Sequence, residues 1–348
     1  MEDLNPLCYP AIFDDIRQNG ISQWKIGRQE RTERKSMKSS NIGGQAVMEG
    51  IMMMNRDRYA VAVRKPNHEI VVKVEEHRPL ARHEKILKLP IIRGVFSFVD
   101  SLVTGMKCLM YSATFYEDEE EEQRRMEMSE EERQAALRKK EKDDSLMMYG
   151  SVIFSVVAAV AVFMLLPYFL ASQLERLQVP NLAVTIAEAL VRVGIFVLYL
   201  WAISRMKDIQ RVFMYHGAEH KCINCIEHGL ELNVENVRKS SKQHKRCGTS
   251  FLFFVMIVSI IFCFFITAES QVARVLIRIA LFPLISGVSY EIIRLAGNSD
   301  NVVINLLSRP GMWVQNMTTK EPDDSMIEVG IRAVEEVFDW RTWQEENL

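Results

Sequence analysis

The sequence predicts a membrane α-helical protein with four transmembrane helices. It adds a small cytoplasmic antiparallel β-meander near the N-terminus and a C-terminal amphipathic helix. Three observations predict this class. The chain has 348 residues and a mean hydropathy of −0.02, but residues 1–145 are polar and charge-rich while 146–296 hold four long apolar runs. A band of basic residues separates the second run from the third. Val-rich alternating segments lie ahead of the first run. A hydrophobic content of 48% excludes a disordered chain, and a net charge of −2 is too neutral for a dedicated nucleic-acid binder.

Residues 1–41 read as a disordered basic tail, with Lys25, Arg28, Arg31, Arg34, Lys35 and Lys38 suited to anionic lipid. No basic n-region precedes an apolar h-region there, so no cleaved signal peptide is expected. Residues 42–78 read as the meander: 45–54 is apolar-rich, and 59–65 and 69–74 alternate around a Pro66-Asn67-His68 turn. Gly43-Gly44 is not a phosphate loop, because no Lys-Ser/Thr follows at the required spacing. Residues 86–115 form an amphipathic or interfacial helix, its apolar face made of Ile92, Val95, Phe96, Val99, Leu102, Val103, Met106 and Met110. Residues 116–145 are a charged linker, with 13 acidic and 7 basic side chains over 117–144.

The four spans fall at 147–172, 184–204, 249–268 and 275–295. The first is uncharged over 26 positions and the third over 20, against the roughly 20 needed to cross a bilayer. Glu188 and Arg192 sit at the i,i+4 spacing that lets them pair. Arg278 and Glu291, near opposite ends of the last span, are expected to snorkel. The loop 205–248 carries nine Lys or Arg, whereas 173–183 and 269–274 carry one each. By the positive-inside rule that loop and both termini face the cytoplasm, which places the protein as multi-pass in the cytoplasmic (inner) membrane. After the fourth span, residues 297–348 are expected to form cytoplasmic helices, with a turn at Arg309-Pro310-Gly311 and a final helix opened by Pro322-Asp323.

Chemistry concentrates in the 205–248 loop. His216-Gly217-Ala218-Glu219-His220 puts two imidazoles one helical turn apart on one side, able to hold a divalent metal, zinc above all. Glu219 could act as general base, the His-x-x-Glu-His arrangement of inverzincin metalloproteases. A third ligand is required, and His244 or Cys247 is nearest in the chain; Glu227 and Glu291 are further candidates. His216 lies 12 residues beyond the second span, so the loop must fold back. Cys222-x-x-Cys225 has neither a second such pair nor a βαβ frame, and a reducing compartment leaves its thiols free.

These residues resemble the YqhQ-like bacterial membrane proteins, a family of unknown function whose members are often labelled predicted metal-dependent enzymes. The resemblance covers about residues 42–340. It rests on Gly43-Gly44-Gln45-Ala46-Val47-Met48-Glu49-Gly50, Pro90-x-x-Arg93-Gly94 and Tyr215-His216-Gly217-Ala218-Glu219-His220-Lys221. Val234-Glu235-Asn236-Val237, His244-x-Arg246-Cys247-Gly248-x-Ser250-Phe251, Pro310-Gly311-x-Trp313 and Thr318-Thr319-Lys320-Glu321-Pro322 carry it further. The resemblance implies that His216, Glu219, His220, Glu227, His244, Arg246 and Cys247 are shared with the other members of the family. Cys222 departs from the pattern, and His68 stands where relatives usually carry Gly.

The function expected is a zinc-dependent hydrolase facing the cytoplasm. His216 and His220 are ligands, His244 or Cys247 completes the site, Glu219 is the base, and Arg246 stabilises a developing oxyanion. Motif analogy suggests a peptide bond as substrate. The rival is a non-catalytic membrane scaffold or membrane-protein assembly factor in which the same cluster is structural. A transporter comes third, on the intramembrane charges. Expected partners are the lipid bilayer and other membrane proteins or a second copy of the chain, with no nucleic acid.

Overall fold

The computed structural model describes residues 39–79, 88–116, 129, 134, 146–147, 149–266, 270–297, 299 and 301–347. The basic tail expected over 1–41 and the charged linker expected over 116–145 lie almost wholly outside them.

The meander is an antiparallel sheet of four strands in sequential order: β1 (Gly43–Val47), β2 (Gly50–Asn55), β3 (Arg58–Arg64) and β4 (Ile70–Glu76). The apolar stretch 45–54 falls on the two arms of a hairpin. Its turn is Met48-Glu49, with Glu49 in left-handed backbone at φ 48°. No glycine or asparagine advertises this turn; Arg211 pairs with the Glu49 carboxylate and the Tyr215 hydroxyl donates to it. His68, at φ 67°, occupies the left-handed region that favours glycine, where the resemblance expects one. β2 and β3 are buried on both faces, which explains an unbroken apolar run in place of strict alternation. Ile51, Met53 and Ala62 face one core, and Met52, Tyr59, Val61 and Val63 face another.

The helices are α1 (Ile92–Ala113), α2 (Tyr149–Ser172), α3 (Asn181–Ile203), α4 (Lys207–Glu227) and α5 (Val234–Lys239). They continue with α6 (Gly248–Phe264), α7 (Gln271–Gly297), α8 (Val302–Thr318), α9 (Asp324–Glu335) and α10 (Trp340–Asn347). α4, α9 and α10 cover the first face of the sheet, and the C-terminal half of α1 covers the second. α2, α3, α6, α7 and α8 form a bundle, with the N-terminal half of α1 packed on α7. α2 carries a π-helical turn at Ala161–Leu165, just ahead of Pro167, whose missing N–H the wider turn accommodates.

Among the described residues three helices, α2, α3 and α7, are long and apolar enough to cross a membrane by length and composition. The third expected span is the 17-residue α6, which ends at Phe264. Two expectations need correcting. Arg309-Pro310-Gly311 is no turn but the middle of α8, and Gly311 lies against Ser250, where an added Cβ would stand 3.1 Å from its Cβ. Arg278 does not snorkel. It is buried and donates to both oxygens of Glu188 at 2.6 and 2.8 Å. Arg192 donates to the same carboxylate at 2.6 Å and to Ser259 at 3.0 Å, so the expected Glu188–Arg192 pair is a triad tying α3, α6 and α7 together. Glu291 pairs with Arg93 of α1.

Amphipathicity in this bundle is partly inverted. α3 buries Glu188 and Arg192 together with Val184, Phe196 and Leu200, while Leu182, Ile186, Leu190 and Leu198 are exposed. α1 buries Gly94, Thr104, Gly105, Cys108 and Ser112, leaving Ile92, Phe96, Val99, Leu102 and Val103 outside. The small side packs because close approach requires it: Gly94 meets Tyr290, and Gly105 meets the Gln45 side chain.

Candidate metal centre

α4 is a polar helix in a buried place. Every residue from Glu219 to Glu227 is buried, including His220, Lys221, Asn224 and Glu227. Such a segment is tolerated only if each polar group has a partner, and here the partners are the carbonyls of the following loop. Lys221 donates to Arg238 and Ser240 at 2.9 and 2.8 Å, and Asn224 donates to Ser241 and Gln243 at 2.7 and 2.9 Å. His220 donates from Nδ1 to the Lys242 carbonyl at 2.7 Å. These bonds fold the loop back over α4. Gln315 of α8 finishes the job, accepting from the His244 N–H at 2.9 Å and donating to its carbonyl at 2.7 Å.

The consequence is that Cys247 lands against the histidines. His216, His220 and Cys247 hold ligand atoms all within 4.8 Å of one another. Cys247 Sγ is 3.3 Å from His216 Nε2. A tetrahedral zinc, with bonds of about 2.0–2.1 Å to nitrogen and about 2.3 Å to sulfur, sets such atoms about 3.5 Å apart. His216 Nδ1 donates to the Thr318 carbonyl at 3.0 Å, as His220 Nδ1 does to Lys242. Carbonyls only accept, so both rings carry the Nδ1 proton and turn Nε2 inward, where a bound metal would take the place of a proton. Two imidazoles and a thiolate make a donor set that suits zinc. The residues fit the metal.

The electrostatics agree. Burial alone would push the Cys247 thiol up, but the two imidazoles hold it well below the usual thiol range. It also caps α6, accepting from the Thr249 N–H. Burial opposes charge on His216 too, yet the thiolate and Glu219 raise it to about 9.

Glu219 places its carboxylate 3.7 Å from His216 Nε2 and 3.9 Å from His220 Nε2. It can lie there because Gly44 of β1 has no side chain: a Cβ at Gly44 would stand 2.7 Å from Glu219 Cγ. A cavity of about 280 Å³ opens beside the group, lined among others by Gly43, Gly44, His244 and Arg246.

Not every expected residue joins the cluster. His244 lines the cavity, but its Nε2 is 3.4 Å from Glu227, so of the two alternatives the structure groups Cys247 with the histidines. Burial pushes the Glu227 carboxyl up, but His244, Arg246 and Ser40 hold it down at about 2. Arg246 donates to Glu227 at 2.7 Å and to the Ile42 carbonyl at 3.3 Å. Glu291 is occupied with Arg93. Cys222 packs against Gly330 and Cys225 faces the Leu230 and Glu231 carbonyls, so neither reaches the site. Gln315 was not singled out from the sequence, and Gly44 and Thr318 were named there only within the family motifs or as an excluded phosphate loop, not as parts of the site. Their roles are set by residues 60 or more positions away.

A family model described as "Protein of unknown function (DUF1385)" matches residues 89–340. The chain is 34% identical over 313 residues to the "Uncharacterized protein YqhQ" of Bacillus subtilis (strain 168), covering 88% of this chain and 94% of that one. No solved structure matches. The chain belongs to this YqhQ-like family.

Proposed function

We propose that this member of the DUF1385 family is a cytoplasmic-membrane protein that binds zinc and hydrolyses its substrate at the cytoplasmic face. One observation carries the reading: three ligand atoms and an acidic side chain converge on the wall of a cavity. His216, His220 and Cys247 would hold the metal. When bound, zinc would act as a Lewis acid toward the oxygen of a polar bond. Glu219 takes the proton of the attacking water and returns it to the leaving group. Arg246, on the same cavity, stabilises negative charge as it develops on the substrate.

The partly inverted amphipathicity supports the membrane part, since apolar side chains outside and paired charges inside suit lipid as the solvent. α6 would cross with α2, α3 and α7, because Ser259 ties it to the charged triad at the same level. Its 17 residues reach about 25 Å at 1.5 Å per residue, short of the roughly 30 Å core but extended by Phe265 and Ile266. The nine basic residues of 205–248 support a cytoplasmic side for α4 and the metal centre, and with four crossings the two chain ends would share that side.

Zinc content by mass spectrometry of detergent-purified protein tests the reading. About one zinc per chain is expected in wild-type protein and in Glu219→Gln, and none in a His216→Ala/His220→Ala variant that still folds. Absence of metal from wild-type protein prepared without chelator would overturn it. Glu219 is near enough to both imidazoles to serve as a fourth ligand, the arrangement of a closed structural site. Loss of zinc in Glu219→Gln would favour that second reading, a scaffold.

A further inference from the structure

β1 is the edge of the sheet, paired only with β2. The register tells which way its backbone points. Val47 pairs with Gly50 across a two-residue turn, and Asn55 with Arg58 across the next. Residues flanking such turns exchange hydrogen bonds, so Gly43, Gln45 and Val47 bond to β2. Ile42, Gly44, Ala46 and Met48 therefore direct their N–H and C=O groups away from the sheet. The two ends of this row are taken: Arg246 donates to the Ile42 carbonyl, and Ser112 accepts from the Met48 N–H. Among the described residues nothing bonds to the outward groups of Gly44 or Ala46.

We propose that this edge docks an extended polypeptide segment, which joins the sheet as a fifth strand and passes along the cavity of the metal centre. Three features favour a peptide as occupant. Two adjacent outward residues offer two donors and two acceptors in strand spacing, the pattern that another extended backbone matches. Gly43 and Gly44 present no side chain, and nothing stands within 4 Å of where a Cβ on Gly43 would be. The same two glycines line the cavity shared with His216, Glu219, His220 and Cys247. Between the two occupied ends the open row runs from Gly44 to Ala46, about 7 Å at about 3.3 Å per residue, room to pair roughly three residues of a segment. Cleavage of the docked segment rests on the hydrolase reading; the docking does not.

Binding measured without turnover tests it. Full-length Glu219→Gln protein in nanodiscs is titrated with a fluorescent pool of random-sequence decapeptides, and with the same pool N-methylated at alternate central peptide bonds. Fluorescence anisotropy is expected to show binding of the unmodified pool and at least tenfold weaker binding of the methylated one. Ala46→Pro removes an outward N–H without removing a bond to β2, and is expected to weaken binding several-fold with the thermal melt unchanged. No binding of either pool, or equal binding of both, overturns the docking. If discrimination persists in a protein that holds no zinc and hydrolyses nothing, the edge stands and the catalytic reading falls. If wild-type protein cleaves small esters but the pools are not discriminated, the edge alone falls.

Discussion

Two buried polar clusters invite comparison. In the bundle, Glu188 is met by Arg192 and Arg278, both carboxylate oxygens are used, and every member is buried. Beside the sheet, His216, His220 and Cys247 gather three potential ligand atoms at a cavity. The first cluster closes both carboxylate oxygens with guanidinium N–H groups and holds three helices together, while Arg192 Nε and Arg278 Nε are buried without a partner among the described residues. The second has its outer bonds satisfied by the Thr318 and Lys242 carbonyls while its inner face is left to a ligand. Burial of charge is thus no mark of function by itself; what separates the two is the direction in which capacity remains.

The sharpest way to break this comparison is Glu188→Leu. It leaves two guanidinium groups facing each other in an apolar interior, a loss of about 3–5 kcal/mol. Thermal unfolding in detergent should show it, while zinc per folded chain stays at the wild-type level. A drop in zinc equal to the loss of stability would mean that the two clusters are one. Gly44→Ala comes next. Its new Cβ must displace both Glu219 and the Met52 carbonyl of β2, and a shift of that kind is expected to lower turnover by about tenfold to a hundredfold. Zinc content is the control, and unchanged turnover would remove Glu219 from the chemistry. The smallest effect is expected at Cys222→Ser. Burial pushes that thiol well up and keeps it neutral, so a buried hydroxyl there costs about 1–2 kcal/mol by calorimetry with no change in metal. A metal change would bring Cys222 into the site.

Much of this was legible in the chain because it depends on short-range pattern. The i,i+3,i+4 placement of His216, Glu219 and His220 needs only a helix, and α4 supplies it. The Glu188–Arg192 pair is equally local. Choosing Cys247 over His244 was not local, because it depends on loop carbonyls reaching Lys221 and Asn224 and on Gln315 arriving from α8. The Met48-Glu49 turn was hidden for a similar reason. Its left-handed residue is a glutamate stabilised by Arg211, more than 160 positions later. Arg278 was misjudged because a charge near a span end is ordinarily free to reach water, and only the third dimension reveals Glu188 beside it.

The C-terminus of α8 touches the metal centre in a way with mechanical meaning. Thr318 holds the His216 ring through its carbonyl, Lys320 donates its N–H to the Phe213 carbonyl at 2.9 Å, and the Lys320 carbonyl presses on Gly217 where a methyl would not fit. α8 is bundled with α6, so a single strap runs from the apolar helices to one imidazole. The orientation of the His216 ring is therefore tied to where α8 packs, because the carbonyl that holds its Nδ1 belongs to the last residue of that helix.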